Sequence, residues 1–112
     1  MLLMSLFVAC QANNIEIVRR LLSRWDIDVN AAARDDSTAL HIAASEGHVD
    51  CVKLMLDCSA LDVNKKTNYG DTAIALALEH NQRATVDLLM RDRRTDLKTR
   101  NRDNETLVQL AV

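Results

Sequence analysis

An all-α solenoid of stacked helix pairs is the fold this sequence predicts, and three observations lead to it. Displaced by 34 residues, the chain falls into register with itself: Ala9, Ala43, Ala77 and Ala111 coincide, and so do Thr38, Thr72 and Thr106. Leu6, Leu40, Ile74 and Val108 are aliphatic in one phase, while Val18, Val52 and Val86 hold another. A period of this length is the mark of a stack of small supersecondary units. Proline is absent and glycine occurs only at positions 47 and 70, in a chain rich in Ala, Leu and Val, so little interrupts helices. Phe7, Trp25 and Tyr69 are the only aromatics, which leaves the core to be built from Leu, Val and Ala. At 112 residues the chain is one domain, 1–112, with units of about 1–28, 29–62 and 63–96 and a partial unit 97–112.

The first element is MLLMSLFVAC, residues 1–10, whose one polar residue is Ser5. Its position and apolarity resemble a secretion signal, and Val8-Ala9-Cys10 resembles the small-residue end of a lipoprotein cleavage site. A signal peptide needs a basic start, however, and the first positive residue is Arg19. Leu6, Val8, Ala9 and Cys10 stand in the phase of Leu40, Ile42, Ala43 and Ala44, so the segment reads as a first helix. A second helix, Ile15 to Leu22, follows at the expected distance.

In the next unit Thr38 is placed as a helix N-cap, because its hydroxyl can accept an otherwise unpaired N–H of the first turn. Leu40, Ala43 and Ala44 put one close-packing face on that helix, and Gly47 ends it. Val49, Val52, Met55 and Leu56 then form an i, i+3, i+6, i+7 stripe on a second helix. A polar stretch from Asn64 to Asp71 leads to Thr72, where the pattern restarts with Ala77, Val86 and Leu88-Leu89. Asp36, Gly70 and Asn104 share one phase within these stretches, and all three tolerate a left-handed backbone. A tight turn there implies a hairpin-like loop between successive helix pairs. Thr106 caps a last helix carrying Leu107, Leu110 and Ala111, with no second helix to cover it.

Thr38-Ala39-Leu40-His41-Ile42-Ala43-Ala44, Gly47-His48-Val49-Asp50, Val52-Lys53-Leu54-Met55-Leu56 and Asp62-Val63-Asn64 together resemble the ankyrin repeat. The T-P-L-H-x-A signature is matched except at the proline, which is Ala39. The resemblance covers essentially the whole chain and is most specific over 29–64. The following unit has Ala75 in place of the motif histidine. Each unit is one residue longer than the usual period, the extra residue falling around Trp25-Asp26-Ile27, Ser59-Ala60-Leu61 and Arg93-Arg94-Thr95. The glycine usual at that helix end is missing in all three. The resemblance implies that the His41 ring bonds backbone between neighbouring units rather than acting as a general base.

Composition and motifs exclude several kinds of chemistry. The net charge of −2 creates no field for nucleic acid or an anionic membrane. No apolar run approaches the roughly 18 residues needed to span a bilayer. Cys10, Cys51 and Cys58 are odd in number and irregular in spacing, which suggests reduced thiols in a cytoplasmic or nuclear protein rather than a disulfide framework. Cys10 and Cys51 share phases with Ala44 and Ile17, read as core-facing, so both thiols are expected to be buried and Cys58 the most accessible. His48 and Cys51 stand at i, i+3, but no fourth metal ligand accompanies them and Cys58. Two glycines cannot build a phosphate-cradling loop, so no cofactor is expected. The segment from Arg91 to Arg102 carries six basic and two acidic residues. Its interleaved acids and lack of stacking aromatics suit a solvated surface better than a nucleic-acid patch.

What remains is recognition of a partner protein, with no small-molecule substrate and no catalysis. The ankyrin resemblance places the binding face on the concave side, on hairpin tips and first helices. Carried onto this chain, that face comprises Arg34, Asp35, Ser37, Ser45 and Glu46. It continues with Asn68, Tyr69, Asp71, Glu79 and His80, and then with Arg102, Asp103 and Glu105. The competing expectation is a regulatory ankyrin segment of a larger enzyme, channel or receptor. The apolar C-terminal end also predicts self-association, or a continuation of the chain.

Overall fold

The computed structural model describes residues 2–33, 35–100 and 106. Among them run six helices: α1 (Leu2–Gln11), α2 (Ile15–Leu22), α3 (Ala39–Glu46), α4 (Val49–Leu56), α5 (Ala73–Glu79) and α6 (Arg83–Arg91). They form three antiparallel pairs, each joined by a short turn. The first helices α1, α3 and α5 touch in sequence and make one layer; the second helices α2, α4 and α6 make the other. The predicted first helix is α1, whose Leu6, Ala9 and Cys10 are buried against neighbouring helices. The predicted last helix, with Leu107, Leu110 and Ala111, lies outside the described residues.

Local chemistry sets the helix ends. Thr38 and Thr72 sit in extended backbone and accept from the backbone N–H of His41 and Ala75. Gly47 ends α3 with φ of 72°, and its N–H is spent on the α3 carbonyls. A Cβ there would also collide with the side chain of Gln82, whose Nε2 donates to Ser45 O at 3.1 Å. Asn13 and Asn81 take the same left-handed conformation at the corresponding turns, as asparagine tolerates it.

The helix ends that lack glycine are handled differently. Ser23 and Asp57 close α2 and α4 in right-handed helical backbone, and Asp92 closes α6 in extended backbone. At α4 the open carbonyls are taken by a residue from the next pair. Arg94 donates through Nη2 to Leu56 O at 2.8 Å and through Nη1 to Cys58 O at 2.9 Å. Asp92 holds that guanidinium at 2.8 Å, and Arg94 in turn holds the Asp92 carboxyl below its usual range.

A second set of bonds stitches the loops together. Asn30 donates through Nδ2 to Ala60 O and accepts at Oδ1 from Asp62 N–H; Asn64 does the same with Arg94 O and Asp96 N–H. The recurring Asp-x-Asn therefore forms a ladder from one unit to the next, with each Asp accepting from the N–H two residues on. In the third unit Lys98 occupies the asparagine phase, and only the short Asp96 bond is kept.

The core matches the composition. Leu40, Ala43, Ala44, Val52, Met55, Ala77 and Leu89 are buried, and close helix contact is possible because so many of these are alanine. One expectation fails. Ile17, read as core-facing in the phase of Cys51, is 45% exposed, whereas Cys51 and Thr85 are fully buried. Cys51 Sγ reaches back to Asn13 of the preceding pair, so this phase faces the preceding pair, and none of the described helices stands on that side of α2.

Candidate functional site

The hairpin-like loops put polar side chains beside the first helices. In the first loop Ala33 N–H donates to Ser37 O at 2.8 Å, and Asp36 takes φ of 62° at its tip. In the second, Thr67 N–H donates to Asp71 O at 3.0 Å, and Gly70 takes φ of 79°. Asn104, the third residue of that phase, lies outside the described residues. The two loops are also bonded to each other, through Asn68 N–H to Asp35 O at 2.8 Å. Their tips therefore stand in fixed register along the stack.

His41 secures the base of these loops. Its Nδ1 accepts from Thr38 N–H at 2.9 Å, completing a capping box, which leaves the proton on Nε2 to donate to Lys65 O at 2.8 Å. Burial lowers its pKa from the usual histidine value, and the ring stays neutral. Both nitrogens are engaged with backbone, in keeping with the inter-unit bridge the resemblance implies and leaving neither to serve as a general base.

Above His41 the loops and the first helices enclose a cleft of about 240 Å³. Five of the residues placed on the binding face line it: Asp35, Ser37, Ser45, Tyr69 and Asp71. Tyr69 is 60% exposed and Asp35 is exposed at the rim. The backbone N–H of Ser37, 3.1 Å from Asp35 Oδ1, holds that carboxyl below its usual range, so it is ionised. Glu46, Asn68, Glu79 and His80 are exposed on the same elements but do not line the cleft. Arg34, Arg102, Asp103 and Glu105 lie outside the described residues.

Sequence reasoning missed the floor. Phe7, Ile42 and Leu76 are only half-buried and form the apolar base of the cleft. Ile42 and Leu76 stand one period apart and share their phase with Val8, 52% exposed, so the row was visible as a phase. Aliphatic side chains on a helix read as core, and nothing local marks them as open to solvent.

The thiols and the metal candidates occupy structural positions. Cys10 and Cys51 are buried, and burial pushes the Cys10 thiol up to about 12; Cys58 is half-exposed. His48 Nε2 lies 3.1 Å from Gln11 O, tying α4 to the preceding pair. None of the helices among the described residues is long and apolar enough to cross a membrane.

The comparisons agree with this architecture. A family model described as ankyrin repeats, in three copies, matches residues 6–101. No curated protein is matched by the chain. Helix pairs in 34-residue register, threonine caps, a histidine bridge and interlocked loops are thus explained together: the chain belongs to the ankyrin repeat family.

Proposed function

We propose that the chain recognises a partner protein through its concave face, made of loop tips and first helices, and that it performs no catalysis. Ankyrin repeats are in general protein–protein interaction modules. The observation that carries the reading is the cleft itself: an exposed tyrosine and ionised carboxylate side chain around an apolar floor, on loops locked in register. A tyrosine already presented on a bonded loop loses little entropy on binding. His41, the one buried titratable group at the cleft among the described residues, is held by backbone on both nitrogens and serves the scaffold. The free thiols suit a reducing compartment, cytoplasm or nucleus.

Tyr69→Ala should weaken partner binding by about 1–3 kcal/mol, as at interface hot spots, with an unchanged melting temperature. Affinity capture with the parent chain, Tyr69→Ala and the second-helix variant Lys53→Ala provides the comparison. Binding lost with Lys53→Ala and kept with Tyr69→Ala would move the site to the other side of the stack.

A regulatory segment within a larger protein is the second reading, favoured by an apolar cleft left open on α5–α6 among the described residues. Leu78 shares a phase with the buried Cys10 and Ala44, and Val86 with the buried Val18 and Val52. Both nevertheless line an open cleft of about 260 Å³ with Met90, which is 54% exposed. Covering these side chains with one further helix pair should raise the urea midpoint; an unchanged midpoint argues against it.

A further inference from the structure

Each helix pair shows its neighbours two different faces. Inside the stack the trailing face of one pair meets the leading face of the next. Cys10 Sγ lies 3.9 Å from Met55 Sδ, and Cys51 Sγ lies 3.4 Å from Asn13 Oδ1. Two periods on from Cys10 and Asn13 stand Leu78 and Asn81; one period before Met55 and Cys51 stand Leu21 and Ile17. No further described helix stands against either set.

The two ends are apolar where the interior interfaces are buried. Ile17 and Trp25 at the leading end are 45% and 96% exposed, and Met90 and Leu97 at the trailing end are 54% and 44% exposed. Leu97 shares its phase with Val29 and Val63, which are buried, so its exposure appears only where no further described pair follows. Leu78, Val86 and Met90 line the open cleft of about 260 Å³ on the same end. The charges next to Ile17, Leu21 and Trp25 are paired among themselves: Arg20 with Glu16 at 3.3 Å and Arg24 with Asp26 at 3.0 Å. The leading end therefore sets no field of one sign against the Arg83, Asp87 and Arg91 of the trailing end.

We propose that the ends of the stack take up a second copy of this chain: the leading end of one molecule docks on the trailing end of another, in the register that successive pairs use within the molecule. In that register Leu78 of one copy meets Leu21 of the other as Cys10 meets Met55, and Ile17 comes to Asn81 as Cys51 comes to Asn13. Trp25 stands one residue before the phase of Arg94, whose side chain reaches a carbonyl at the end of α4, so it lies by the end of α6 and Met90 of the other copy. A second copy is the occupant because its leading end is an earlier period of the face that α3–α4 and α5–α6 already present to the pairs before them. Docking takes apolar side chains that now face water and buries them. The contact is head-to-tail, so copies add along the stack axis instead of closing as a twofold pair. It uses neither Tyr69 nor the cleft beneath it, and is independent of the concave-face reading.

Sedimentation velocity of the full chain over a concentration series is the test, with the two ends altered separately at exposed positions. The parent chain should show a mass that rises with concentration. Ile17→Glu spoils the leading end and Met90→Glu the trailing end, so each alone should stay monomeric where the parent associates. An equimolar mixture of the two should form a dimer and nothing larger, because it holds one intact trailing end and one intact leading end. Trp25→Ala, at a site already in water, should weaken association as a second leading-end variant. Thermal melts check that the variants are folded, and Tyr69→Ala should associate like the parent. A parent chain that is monomeric throughout, association that survives both glutamate variants, or a mixture that stays monomeric overturns the inference and leaves the concave-face reading standing.

Discussion

The middle helix pair and the outer two carry the same sequence pattern and meet different surroundings. Cys51 and Ile17 share a phase, yet Cys51 is fully buried and Ile17 is 45% exposed. At the other end Ala44 is fully buried, while Leu78 in its phase lines an open cleft. The pair α3–α4 has a neighbour on each side; α1–α2 and α5–α6 each have one among the described helices. Phase decides which way a side chain points, and the neighbour decides whether that direction is wet or dry. In a repeat stack the stability of a unit is therefore largely held by its interfaces.

Four sets of substitutions test this difference, in descending order of effect. Met55→Ala removes a fully buried side chain that touches Cys10 across the interface, and should cost about 2–5 kcal/mol in urea unfolding. Leu21→Ala, in the same phase of the half-covered α2, should cost less than about 2 kcal/mol. Equal costs would mean that phase alone sets the energetics.

Arg94→Ala comes next. It strips the guanidinium from the carbonyls of Leu56 and Cys58 and should cost about 1–3 kcal/mol, the range of hydrogen bonds to charged groups. Arg94→Lys should recover only part, since an ammonium cannot span the same acceptors. Full recovery would show that charge near the helix end matters more than the fork.

Thr85→Val should raise stability by about 1 kcal/mol, because Thr85 Oγ1 is buried with no hydrogen-bond partner among the described residues. Ile17→Thr, the reciprocal change at the exposed end of the phase, should be near neutral. A loss of stability with Thr85→Val would reveal a partner for that hydroxyl.

The smallest effect is one of slope. His41 occupies the phase of Phe7 and Ala75, so the bridge belongs to the middle pair alone. Burial lowers its folded pKa, so below the ordinary histidine value the unfolded chain takes up a proton that the folded chain refuses. The His41 contribution is present in full above that value and is lost as pH falls toward the folded pKa. Urea midpoints between pH 7.5 and pH 5 should fall more steeply for the parent chain than for His41→Asn. Parallel curves would mean that the ring titrates alike in both states.

Much of this was legible in the sequence because helix ends are local matters. Thr38 and Gly47 bracket α3 through their own backbone preferences, and Ile15–Leu22 follows from spacing alone. The loop position of Tyr69 and the acids beside it followed from the repeat phase. The cleft floor at Phe7, Ile42 and Leu76 did not, since an aliphatic residue on a helix gives no sign of which face stays open. Nor did the role of Arg94, which lies in a charged run that reads as solvated surface yet supplies the cap its neighbour's missing glycine leaves vacant.

The sequence by itself determined the period, the helix pairs, their caps and the direction of each side chain, since all depend on residues within one or two turns of each other. Only the tertiary structure decided which directions are covered, which loops bond to each other, and where an arginine 38 positions along finds its carbonyl. These depend on neighbours the chain brings together by stacking, and burial exists only once a second surface arrives to exclude water.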